Sequence, residues 1–178
     1  MTIMDMTGKT YQVWPFRSDT EEGGLNIGAI DLTRHPDRIN EILELDLMPT
    51  LKDRVLCINK ENTAIMTLGC WLGEAPDING VLDAYIQFCF RPSINTAGID
   101  LNNLDDLFYK YVEEKAGKEA RHSMETRLEW FVFDVKLYAQ HPVKALHVAV
   151  EAYTPRDIES FLVPLVNWLH SEFLHLAS

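Results

Sequence analysis

Cysteine is scarce in this sequence: Cys57, Cys70 and Cys89 are the three in 178 residues. An odd number at wide spacing fits neither a disulfide framework nor the paired spacing of a zinc site. All three fall in segments that read as strands, so reduced thiols are expected, at least two of them buried. Long apolar runs are missing too. Nowhere do about 18 apolar residues follow one another, and the opening MTIMDMTGKTYQVW has no basic start followed by an apolar core. A cytoplasmic protein without a membrane partner is the expectation. Positive charge is also in deficit, with 16 Lys and Arg against 27 Asp and Glu and a net charge of −11. Such a field repels phosphate backbones, which sets nucleic acid aside as a partner.

The common signatures of chemistry are absent. Gly8-Lys9-Thr10 has the end of a phosphate-binding loop but no upstream glycine and no helix after it. His170 and His175 are five residues apart, whereas two ligands on one helix face need three or four. There is no GxSxG elbow. No metal, cofactor or catalytic residue is assigned on these grounds. A small enzyme without a motif, built for example from Glu129, Asp134 and His147, stays open as an alternative, because catalytic groups converge from distant positions.

What the chain does have is 47% hydrophobic and 24% charged residues, enough for one domain with a full core. One domain over 1–178 is expected, with an N-terminal hairpin, 9–32, appended to a core of 33–176. Strands are read at 9–16 and 25–32, then a first helix from Pro36 to Met48 that Pro49 ends. Val55 to Ile58 and Thr63 to Leu72 read as a hairpin, and Ala84 to Phe90 alternates as a third strand. Asn103 opens a helix that Gly117 stops, while Lys118 to Glu125 could extend it or bridge onward. Leu128 to Ala139 and Val143 to Tyr153 make two long strands expected to pair as an antiparallel hairpin. Thr154, Pro155 and Asp157 open the last helix as N-cap, first residue and third-position acid. Its stripe, with Phe161, Leu165 and Leu169, matches that of Phe131, Phe133, Val135 and Leu137, so the helix is expected to cover that face.

The fold class read from this is α+β: a mostly antiparallel sheet of about five to seven strands, three helices, and one layer of helices packed on the sheet. From Pro36 to Leu176 the order helix, three strands, helix, two strands, helix resembles that of the class I chaperones of type III secretion. The resemblance implies a small acidic dimer that holds an effector segment in the cytosol.

Between Asp19 and Asp46 the carboxylates Asp19, Glu21, Glu22, Asp31, Asp37, Glu41, Glu44 and Asp46 meet only Arg34 and Arg38, with Arg17 just before. A helix over Pro36 to Met48 puts Asp37, Glu41 and Glu44 in one exposed row. Trp130 and Tyr138 lie on the less apolar face of the long strand, where a partner would cover them. His147 and Glu151 share a strand face and could border a groove. The function read from this pattern is a non-enzymatic, acidic binding protein: an immunity or inhibitor protein that neutralises a basic toxin or enzyme. Its contacts would be Asp19, Glu21, Glu22, Asp37, Glu41, Glu44, Trp130 and Tyr138. The secretion-chaperone-like protein is the alternative, as a monomer or homodimer.

Overall fold

A computed structural model describes residues 3–5, 12–18, 28–138 and 142–177 of the chain. The fold is α+β around a single mixed sheet. Its strands are β1 (Met4–Asp5), β2 (Gln12–Trp14), β3 (Ile65–Glu74), β4 (Leu82–Phe90), β5 (Leu128–Leu137) and β6 (Pro142–Ala152). The order is β5-β6-β4-β3 with antiparallel neighbours, and β1 and β2 share the outer edge of β5 as short parallel strands. These parallel pairings correct the expectation of a mostly antiparallel sheet. The β5–β6 hairpin pairs as expected.

Four α-helices lie among the described residues: α1 (Pro49–Ile58), α2 (Leu104–Ala116), α3 (Lys118–Arg127) and α4 (Pro155–Glu172). That exceeds the three expected, and two of the differences change the reading of the chain. Pro36–Glu41 and Leu43–Leu47 are 3-10 turns, not one α-helix ending at Pro49. Proline at a first helical position starts a helix as readily as proline elsewhere stops one, and Pro49 starts α1. Val55–Ile58, read as a strand, is the last turn of that helix; Leu51, Val55 and Ile58 make its buried stripe. The order that carried the chaperone resemblance therefore becomes helix, two strands, two helices, two strands, helix. The expected strand at 25–32 is coil over 28–31, where the Ala29 amide donates to the Phe16 carbonyl at 3.0 Å, and its first residues lie outside the described ones.

Both ends of the helical layer are locally determined. Thr154 Oγ1 accepts from the Asp157 amide at 3.1 Å, as a cap should. Gly117 ends α2 at φ 88°. Glu159 of α4 accepts from the Leu51 amide at 2.8 Å and so satisfies the start of α1 from another helix.

The main core sits between the helices and one sheet face: Leu128, Trp130, Val132, Leu146, Val148 and Val150 against Leu162, Leu165 and Trp168. Helix α4 thus covers the Trp130 side of β5, not the Phe131 to Leu137 side expected for it. Trp130 is 3% exposed and donates to the Tyr109 hydroxyl at 3.0 Å, which corrects its assignment as a partner contact. Three apolar residues at its half of the strand outweigh the polar residues further along the same face.

The opposite face has a second, smaller core where the N-terminal segment crosses it. Trp14 packs with Met66, Leu68, Cys89, Val135 and Leu137, and Phe16 and Ala29 rest against them. A bulge in β3 at Leu68 lets Met66 before it and Gly69 after it look to the same side. Cys57 and Cys70 are half-buried and Cys89 is buried; all three are free thiols, so one fewer is fully buried than expected.

Candidate functional site

The described residues of the N-terminal segment, Trp14, Phe16 and Ala29 among them, cover one half of their sheet face. Strand alternation brings Gly69, Trp71 and Gly73 of β3, Asp83, Tyr85 and Gln87 of β4, His147 and Glu151 of β6, and Glu129 and Phe131 of β5 to that face. Beyond the segment, four rings cross the sheet in a row. Trp71 stacks on Tyr85 at 6.2 Å, Tyr85 meets His147 at 4.5 Å, and His147 meets Phe131 edge-on at 5.5 Å.

Each ring is held by its surroundings. The Trp71 indole lies over Gly73, where any Cβ would collide with it, so a side chain at Gly73 and this ring position are incompatible. Gln87 Nε2 lies 3.1 Å from His147 Nδ1 and donates to it when the neutral imidazole carries its proton on Nε2. Burial pushes the His147 pKa down to about 4, which keeps it neutral. The sharing of one face by His147 and Glu151 is as the sequence suggested.

Among the strand residues named above, the charged side chains are acidic: Asp83, Glu129 and Glu151. Burial, then Glu151 and Glu129, raises the pKa of Asp83. Asp83 therefore ionises against like charge.

Where β3 ends the sheet, this face opens into a groove of about 760 Å³. The groove runs along the β3 edge between Phe16 and Ala29 at one end and Ile42 and Glu44 at the other side. Trp71, Tyr85 and Gln87 form its floor with Gly69 and Gly73, and among the described residues its charged lining is Glu44, Glu74 and Asp83, with no basic side chain. Burial and then Glu44 push the Cys70 thiol up to about 12, so this sulfur stays protonated and a poor nucleophile.

No family model, curated protein or solved structure matches this chain. Its function has to be read from this geometry alone.

The residues expected to bind a partner scatter in an informative way. Asp19, Glu21 and Glu22 lie outside the described residues. Asp37 and Glu41 are exposed on the first 3-10 turn, where Glu41 takes a bidentate pair from Arg38 at 2.7 and 2.8 Å. Glu44 enters the groove, and Asp46 pairs with Lys52. The single acidic row expected of an α-helix is therefore broken up, because 3-10 turns place residues three apart, not four, on one side. Tyr138 is 37% exposed but engaged: its hydroxyl donates to Asp31. Glu129, Asp134 and His147 do not converge, since Asp134 sits on the opposite strand face from the other two. Asp83 and Tyr85 were missed as groove residues, and Trp71, one of the aromatic residues weighed for an interface, was assigned to core packing instead. The period-two run Asp83, Tyr85, Gln87 was the available signal, a half-polar face on a strand whose other face is fully apolar.

Proposed function

We propose that this protein is a non-enzymatic binding protein that neutralises a basic toxin or enzyme by stoichiometric association, as an immunity or inhibitor protein does. The observation that carries the reading is the groove: three carboxylates, two stacked rings and, among the described residues, no cation in its lining. Lysine or arginine from a partner would relieve the repulsion on Asp83 and find aromatic faces beside it. The net charge of −11 would speed encounter with a basic protein.

A second reading, a chaperone-like protein that holds a segment of a secreted effector, is favoured by the groove's lining, which follows β3 from Thr67 to Glu74. The two differ in the partner, a folded toxin or enzyme against an unfolded stretch. Co-purification and mass spectrometry identify it, and association is then timed at low and high salt. The expected result is a basic partner whose association slows with salt and with Glu44→Lys plus Asp83→Lys. An acidic partner, or unchanged kinetics after that reversal, defeats the reading.

A further inference from the structure

We propose that the groove takes an extended segment of the partner as an added strand on the edge of β3 that no described strand pairs, with lysine or arginine at every second position. This deepens the binding reading above and rests on it.

Long edge strands are normally blunted by lysine, proline, bulges or a covering element. In β3 the bulge at Leu68 does this for the first half, where Trp14 Nε1 also binds the Leu68 carbonyl at 2.8 Å. From Gly69 to Glu74 there is neither lysine nor proline, and among the described residues the strand pairs with β4 alone. The unblunted half is the half that borders the groove.

The side-chain pattern of the guest follows from strand alternation. One set of its side chains lies beside Gly69, Trp71 and Gly73, with Tyr85 and Asp83 one strand further in. That row offers π faces and a carboxylate, and suits a cation. The other set lies beside Cys70, Leu72 and Ile42, which pack on the main core, and suits an apolar residue. Main-chain hydrogen bonds supply affinity and the alternate side chains supply selectivity. A second copy of this chain is a poor guest, because it would bring net negative charge to a negative groove.

The test uses the full chain and a blocked peptide of alternating Lys and Val, with two further versions N-methylated at all Lys amides or at all Val amides. Alternate amides point to opposite edges of a strand, so one methylated version should bind as the parent does and the other about tenfold weaker or worse. Hydrogen exchange should slow at amides between Gly69 and Glu74, and Glu44→Gln plus Asp83→Asn should weaken the parent peptide severalfold at low salt. Equal binding of both methylated versions, or protection elsewhere, overturns strand addition while leaving the charge-based reading standing. No binding of the parent peptide to the wild-type chain overturns strand addition as well, and the partner experiment with the Lys reversals judges the broader reading on its own. Parent binding that ignores the Gln/Asn substitutions overturns the assignment of the cation site.

Discussion

The Tyr138 hydroxyl donates a hydrogen bond to Asp31 across 107 positions of sequence, and Arg34 lies over the same ring at 4.3 Å from its centroid. Tyr138 itself stands at φ 47°, a conformation uncommon for a side-chain-bearing residue. Its amide donates to the Trp14 carbonyl at 2.9 Å, and its ring meets Trp14 edge-on at 5.1 Å. One residue at the end of β5 thus fastens two separate stretches of the N-terminal segment that bounds the groove.

Tyr138→Phe keeps the ring contacts and removes the donor. The expected loss is about 1–2 kcal/mol, a few degrees in thermal midpoint by calorimetry. Asp31→Asn should cost a similar amount, and the double substitution should cost less than the sum, because both remove one bond. Full additivity would mean that the two side chains act independently.

Acid should weaken the fold in two separate windows. His147 has its folded pKa lowered by burial from 6.5 to about 4, so the unfolded chain binds the proton first. Its contribution is complete above pH 6.5, declines as pH falls towards 4, and amounts to roughly 3 kcal/mol at most. For Asp31, burial acts to raise the pKa, but hydrogen bonds from Thr33 and Tyr138 and the Arg34 charge outweigh it and leave it below 3.8. Its contribution is present above that value and is lost as pH falls through the lower folded one. Urea midpoints measured against pH should show both declines, and His147→Gln should flatten the upper one only.

Gly73→Ala should displace the Trp71 ring without unfolding the chain, since the Cβ needs the space the indole occupies. The expected signs are a changed near-ultraviolet circular dichroism signal and weaker peptide binding with far-ultraviolet spectra preserved. An unchanged Trp71 environment would show that the ring does not rest on Gly73.

The two faces of β5 should respond unequally to truncation. Trp130→Ala opens the main core and loses a buried hydrogen bond, at a cost of about 3–5 kcal/mol. Phe133→Ala, half-buried at the edge of the smaller core, should cost clearly less. Denaturant unfolding of both variants decides it, and the reverse order would restore the packing expected from sequence.

What could be read from sequence was what is decided locally. Thr154, Pro155 and Asp157 specify a helix start whatever surrounds them, and Leu146, Val148, Val150 and Ala152 recur at strand spacing on one face of β6. Pro49 is ambiguous because its ring both ends and begins helices, and the Leu51, Val55, Ile58 spacing that would have settled it was hidden by the β-branched Val55 and Ile58. β5 has apolar residues on both faces because each faces a core, so alternation could not say which one the helices cover. The candidate site joins β3, β4, β5 and β6 across long gaps in the chain, 60 positions between the hydrogen-bonded Gln87 and His147. Only the strand order brings those residues together.

The smaller core has a consequence for how the molecule opens. It is tied to the sheet by parallel pairings of two and three residues, whereas β4 and β6 pair along eight positions beneath the helices. Free energy of local opening follows such differences, so amide protons of Gln12–Trp14 exchange through a partial unfolding that leaves the β4 and β6 amides locked until the whole domain melts. Proteases that sample that partial state cut near the N-terminal segment first. An occupied groove, resting against Phe16 and Ala29, would slow that cut, and limited proteolysis becomes a direct gauge of occupancy.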